Sequence, residues 1–138
     1  MYDGRCGVRD VGASVPVYPL RVGPNRRHLV DQRGRPYLMH GEAAWSLITA
    51  LTREEAELYL ADRGCKGVNT IIVNLVEHKF NGPANRYGER PFTSADDLSS
   101  PNEAYFAHAD WVIRKAGEYG IQVLLAPIYL GFAGTDEG

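Results

Sequence analysis

Two near-continuous runs of apolar residues in the second half of the chain predict buried β-strands. One extends from Thr70 to Val76, and the other is the sequence IQVLLAPIYL, which follows Gly120. Such runs are typical of parallel sheets, whose strands are covered on both faces. Further upstream, HLVDQRGRPYLMH predicts a short hairpin that turns at residues 31–34. We expect its second strand, residues 37–40, to be the first strand of the main sheet.

The segments between these strands have apolar residues at helical spacing. The first predicted helix starts at Thr52, where Glu55 completes a capping box, and it ends at Gly67. The second starts at Ser100 with a capping box through Glu103, and a long polar loop, residues 79–99, precedes it. The order β-α-β-α-β predicts parallel strands joined by right-handed crossovers, as in an open doubly wound sheet or a (β/α)8 barrel.

Alternation along the second strand separates an apolar face from a polar one. Ile71, Val73 and Leu75 share one face, whereas the opposite face carries Asn74 inside the run and His78 beyond its end. Helices cover both faces of an open sheet, but a barrel has one face towards helices and one towards a lumen. The asymmetry therefore favours the barrel, with its functional site at the carboxyl ends of the strands.

Polar and ionisable residues are predicted to meet at this carboxyl rim. The first strand ends with His40 and Glu42, and the second contributes Asn74, Glu77 and His78. We expect His40, Glu42, Asn74 and His78 to point to the same side of the sheet. These side chains can hydrogen-bond to a polar ligand, although Glu77 can also be the solvated start of a loop.

Some of these residues have a second interpretation. His40, Glu42, Glu77 and His78 are metal-ligand types, so a metal site remains an alternative, although the chain has no HxH or HExxH spacing. Trp45 and Tyr87 could stack on a sugar ring or could pack within the core and the loop.

Composition and charge restrict the class of protein. The 138 residues are 44% hydrophobic and 23% charged, as in one globular domain, and the net charge of −2 argues against a nucleic-acid partner. No apolar run is long enough for a membrane span, and no signal peptide is visible, so cytoplasmic and secreted locations both remain open. Cys6 and Cys65 are far apart in sequence and are expected to be free thiols.

An ordered series of short motifs resembles the opening of the apiosidase-like glycoside hydrolases. The hairpin RHLVDQRGRPY is followed by GEAAW at the end of the first strand, by the helix start LTREEA, and by the turn KGVN into the second strand. ANRYGERPF and PNEAYFAHADWVIRKAGEYGIQVLLAP continue the similarity, which extends from about Leu20 to Leu130.

The resemblance implies an α/β chain that is an incomplete (β/α)8 TIM barrel, with three strands, two crossover helices and a preceding β-hairpin. Residues 1–19 would be a lead-in segment, and residues 20–138 the amino-terminal part of the barrel. The implied activity is hydrolysis of glycosidic bonds in complex, plant-type polysaccharides, with no cofactor and no metal. The residues expected to bind the carbohydrate substrate are Glu42, Trp45, Asn74, Glu77 and His78.

The resemblance also implies that this chain does not carry the catalytic residues. A complete barrel has eight βα units and needs roughly 200 residues or more, so we expect the catalytic carboxylates on later strands and no activity from the 138 residues alone. Two alternatives remain: a non-catalytic sugar-binding barrel, and a metal-dependent hydrolase built on His40, Glu42 and His78.

Overall fold

Parallel strands joined by helices form the centre of the computed structural model, which describes residues 16–77, 80–94 and 97–128. In chain order the elements are β1 (Arg21–Val22), β2 (Leu29–Val30), β3 (Pro36–Tyr37), β4 (Gly41–Ala43), α1 (Leu47–Ala50), α2 (Arg53–Cys65), β5 (Thr70–Val76), β6 (Phe92–Ser94), β7 (Asp97–Pro101), α3 (Glu103–Glu118) and β8 (Gln122–Ile128). β4, β5 and β8 are parallel neighbours in that order, with β5 in the middle. The predicted β-α-β-α-β order is confirmed, and the short helix α1 is an addition to it.

The hairpin upstream of the sheet forms where the sequence predicts it, but it ends earlier. β1, β2 and β3 are antiparallel, and Gly34 in the turn has a φ of 79°, which suits a residue without a Cβ. The prediction that residues 37–40 are the first parallel strand is wrong. The Tyr37 hydroxyl donates to the carbonyl oxygen of Asn69 at 2.9 Å, so this segment crosses the amino end of β5 instead of pairing along it. Pairing with β5 begins at Gly41.

Helix α2 begins as predicted. The Thr52 hydroxyl accepts from the backbone N–H of Glu55 at 3.3 Å, and the backbone N–H of Thr52 donates to the Glu55 carboxylate at 2.9 Å. This reciprocal pair satisfies two N–H groups that the first helical turn would otherwise leave without partners. Gly67 follows the helix with a φ of 88°.

The predicted start of α3 at Ser100 is wrong. Residues 97–101 pair with β6 in an antiparallel hairpin, so the backbone at Ser100 is extended, and part of the predicted polar loop is strand. Asn102 caps the helix instead, because its side-chain oxygen accepts from the N–H of Ala104 at 3.1 Å. The helix then runs from Glu103 to Glu118.

The main core lies between the parallel sheet and the helices. Leu60 of α2, Tyr105 and Val112 of α3, and Ile71 and Val73 of β5 are fully buried in one cluster. Burying such a side chain stabilises the fold by about 1.5–3 kcal/mol. The predicted helix-facing side of β5 is therefore confirmed, and Leu75 packs against the same cluster.

The expectations about the cysteines, about membrane spans and about the lead-in segment have different outcomes. Cys65 is disulfide-bonded, so the expectation of a free thiol is wrong there, and Cys6 lies outside the described residues. None of the described helices is long and apolar enough to cross a membrane. The predicted boundary between residues 19 and 20 stays a prediction.

Candidate functional site

Asn74 lies in the second half of β5, on the face opposite the helices. Its backbone N–H donates to the carbonyl oxygen of Trp45 at 2.9 Å, and it is in register with Ala126 of β8. The side chain is 1% exposed, yet neither its oxygen nor its nitrogen has a hydrogen-bond partner among the residues that the structure describes. Because a buried polar group without a partner costs about 1–3 kcal/mol, this amide is a candidate for binding a ligand group that both donates and accepts.

Glu42 does not share that face. It is in register with Ile71, and residues side by side in a parallel pair point to the same side, so Glu42 points towards the helix layer. Its carboxylate accepts from the Arg63 guanidinium Nε at 2.8 Å and from the Tyr59 hydroxyl at 3.2 Å, both on α2. Burial raises the pKa of Tyr59, which keeps this hydroxyl protonated as a donor. The prediction that Glu42 and Asn74 point to the same side is wrong.

Glu77 directly follows β5 and is buried. One carboxylate oxygen accepts from the Thr49 hydroxyl of α1 at 2.9 Å, and the other accepts from the backbone N–H of Phe80 at 3.2 Å. The side chain is 1% exposed. Burial, and after it the charge of Glu77, raises the pKa of Tyr105, whose hydroxyl donates to the carbonyl oxygen of Leu75 at 2.5 Å. The alternative of a solvated loop start is therefore wrong for Glu77.

Trp45 lies at the carboxyl end of β4, beside an open cleft of about 370 Å³ that we call the β4 cleft. Its lining residues are Glu42, Ala43, Ala44, Trp45, Ser46, Leu47, Ala50, Leu51, Tyr59 and Phe80. Most of these side chains are apolar, and Phe80 is 57% exposed. The β4 cleft thus offers aromatic surface at the carboxyl end of β4, and Glu42 and Tyr59 line its helix-facing side.

His40, another residue predicted at the rim, lies away from it. His40 precedes β4, so it lies at the amino end of the sheet, where its ring nitrogen Nδ1 contacts the carbonyl oxygen of Gly67 at 3.0 Å. The expectation that His40 lies at the carboxyl rim is wrong. His78 falls outside the described residues, so its predicted position stays a prediction. Among the described residues, no group of three or more His, Cys, Asp or Glu side chains could hold a metal ion.

Tyr87 has a structural role in the loop before β6. Its hydroxyl accepts from the backbone N–H of Arg53 at 2.8 Å, and its ring packs edge-on against His108 with 5.1 Å between centroids. Asn85 holds the same loop, because its side-chain oxygen accepts from the N–H groups of Tyr87 and Glu89 at 3.0 and 3.1 Å. Of the two interpretations of Tyr87, the structure supports packing.

The match to a family model decides which proteins this chain is related to. The model described as "Apiosidase-like, catalytic domain" matches residues 23–137. The chain belongs to the apiosidase-like family. The resemblance carried by the hairpin, the GEAAW segment and the LTREEA helix start is thereby confirmed.

Two of the solved structures that resemble this apiosidase-like chain are glycoside hydrolases. One, described as "Glycoside hydrolase", is 30% identical with a TM-score of 0.70, and the match covers 80% of this chain and 25% of that one. The other, a glycoside hydrolase family 5 protein from Bacteroides vulgatus ATCC 8482, is 25% identical with a TM-score of 0.69, and the match covers 80% and 26%. The apiosidase-like chain thus spans about a quarter of the length of these proteins. No curated protein matches it.

The sequence analysis does not identify two residues of the site, Thr49 and Phe80. Thr49 lies on α1, a helix of four residues that is too short to show a helical period. Phe80 follows the strand within a polar stretch, where one apolar residue gives no pattern. The sequence could have indicated Phe80 only as an aromatic side chain close to the carboxyl end of an apolar strand.

Proposed function

We propose that this chain supplies the first part of a (β/α)8-barrel glycoside hydrolase that cleaves complex, plant-type polysaccharides. The family match and the two glycoside hydrolase structures support the class of enzyme. The parallel order β4-β5-β8, with α2 and α3 as crossovers, supports the barrel. The sheet face that carries Asn74 would then line the lumen.

The observation that carries the proposal is the buried amide of Asn74. Its oxygen and nitrogen have no protein partner among the described residues, and Asn74 is close to the carboxyl end of β5, the end at which a (β/α)8 barrel binds its substrate. A sugar hydroxyl can donate to one and accept from the other, so a carbohydrate suits this pair of atoms. Trp45 would add an apolar surface for a sugar ring, and His78 remains a predicted contact.

The contacts of Glu42 and Glu77 support indirect roles for these two carboxylates and not catalytic ones. Hydrolysis of a glycosidic bond needs two carboxyl groups about 5 to 10 Å apart on either side of the bond. Glu42 is held by Arg63 and Tyr59, and Glu77 by Thr49 and Phe80, so both use their oxygens inside the protein. We therefore propose that the general acid and its partner come from later strands of the enzyme. The substrate contacts predicted for Glu42 and Glu77 remain untested, and the geometry favours indirect roles for them.

The test is to assay the full-length protein and the 138-residue chain on a panel of plant cell-wall polysaccharides and aryl glycosides. Release of reducing ends by the full-length protein alone is the expected result. Binding without release, measured by affinity electrophoresis on the same polysaccharides, would replace hydrolysis with a non-catalytic sugar-binding function. Loss of activity after treatment with a chelator, with recovery on adding a divalent metal, would favour the metal-dependent alternative. Turnover by the 138-residue chain would contradict the assignment of the catalytic pair to later strands.

A further inference from the structure

We propose that Glu77 is a positioning residue, which fixes Phe80 beside Trp45 as a second aromatic surface for the sugar. This proposal rests on the proposed function, because it concerns how the same substrate is bound. It gives Glu77 no part in proton transfer and no contact with the sugar. Its elements are a buried carboxylate, two hydrogen bonds and an exposed aromatic ring.

The carboxylate of Glu77 joins two segments that are distant in sequence. The Thr49 hydroxyl reaches it from α1, which directly follows the turn containing Trp45. The backbone N–H of Phe80 reaches it from the loop after β5. Hydrogen bonds to a charged acceptor are roughly twice as strong as bonds between neutral groups. One side chain therefore holds the Phe80 backbone at a fixed position relative to α1.

Burial makes this link a rigid one. Glu77 and Thr49 are each 1% exposed, so water does not compete well for their hydrogen bonds. Phe80, in contrast, is 57% exposed and lines the β4 cleft together with Trp45. The carboxylate that anchors the loop is thus buried, whereas the Phe80 ring lies at the surface of the described part of the chain. A preformed aromatic surface binds with less loss of conformational entropy than one that must be ordered.

The chemical consequence is confined to binding. An aromatic ring that stacks on a sugar holds the substrate about equally well before and during bond cleavage, so its displacement should raise KM and leave kcat nearly unchanged. A residue that acts only through Phe80 should have no effect once the Phe80 ring is removed. If Glu77 contacted the sugar directly, substituting it would still weaken binding after the Phe80 ring had been removed.

The kinetic test uses Thr49→Val, which removes the hydroxyl donor but keeps the shape of the side chain, and Thr49→Ser as the matched control. In the full-length enzyme, Thr49→Val and Glu77→Gln are each expected to raise KM about 5- to 30-fold with kcat within about twofold. Thr49→Ser should behave as the wild type. Combined with Phe80→Ala, neither substitution should raise KM beyond the value of Phe80→Ala alone.

A separate measurement distinguishes failure of this inference from failure of the proposed function. Hydrogen–deuterium exchange at the Phe80 amide should be faster in Glu77→Ala and in Thr49→Val than in the wild type, whether or not the protein hydrolyses any glycoside. Unchanged exchange at this amide in both variants would overturn the positioning role. Effects on KM that multiply with those of Phe80→Ala, or a fall in kcat at constant KM, would overturn it as well.

Discussion

Asn74→Leu is predicted to make the protein more stable and less active at the same time. Leucine has the same number and branching of heavy atoms as asparagine but no polar group. In the wild type both polar atoms of the amide are buried without a partner among the described residues, so the folded state loses their hydration without compensation. Removing that penalty should raise the free energy of unfolding by about 1–3 kcal/mol.

The chain contains a matched control in Asn69. Its side-chain oxygen accepts from the backbone N–H of His40 at 2.9 Å, and its nitrogen donates to the carbonyl oxygen of Leu38 at 2.8 Å. Because Asn69→Leu would leave both partners without their bonds, we expect it to lower the free energy of unfolding by about 1–3 kcal/mol. The two substitutions are chemically identical, so opposite signs can only come from the surroundings of each amide.

Both variants should be measured in full-length protein by urea denaturation and by steady-state kinetics on a substrate that the wild type hydrolyses. If the amide of Asn74 binds the sugar, Asn74→Leu should lower kcat/KM about 5- to 150-fold, which corresponds to the loss of about 1–3 kcal/mol of binding. Asn69→Leu should leave kcat/KM nearly unchanged. Destabilisation by Asn74→Leu with unaltered kcat/KM would refute the reasoning, because the amide would then serve the fold and not a ligand.

Three further outcomes test the helix starts and the charged side chains. Thr52→Ala and Asn102→Ala should each lower the free energy of unfolding by about 1 kcal/mol in urea denaturation, whereas Ser100→Ala should have little effect. A larger loss from Ser100→Ala than from Asn102→Ala would contradict the observed cap. Burial lowers the pKa of His108 below its ordinary value of 6.5, so neutral His108 stabilises the fold fully above about pH 6.5. The free energy of unfolding should therefore fall as the pH is lowered from about 6.5 to the pKa of His108 in the folded protein. A His108→Gln variant should lack this part of the pH dependence. Glu42→Gln should lower the free energy of unfolding by less than about 1 kcal/mol, and by less still in high salt, because the ion pair of Glu42 with Arg63 is partly exposed. A larger loss of stability that salt does not reduce would contradict this expectation.

The sequence by itself determined the features that depend on neighbouring residues. The strand and helix order follows from the spacing of apolar residues, and the start of α2 at Thr52 follows from a cap whose partner is three residues away. The helix-facing side of β5 follows from alternation within one strand, with Ile71 and Val73 buried. In each case the interaction that fixes the structure lies within a few residues, or within a periodic pattern, that can be read directly.

Tertiary structure decided the features that depend on a distant partner. Alternation divides the first strand into two faces, but only its register with β5 shows that Glu42 shares the face of Ile71. The capping signal at Ser100 is overridden, because pairing with β6 keeps that backbone extended. Glu77 looks like a residue of the loop in sequence, yet it is buried, and its carboxylate accepts a hydrogen bond from Thr49, which is 28 residues away. The register between two strands and the partner that satisfies a charged side chain are set by packing between elements, and a local pattern carries no information about that packing.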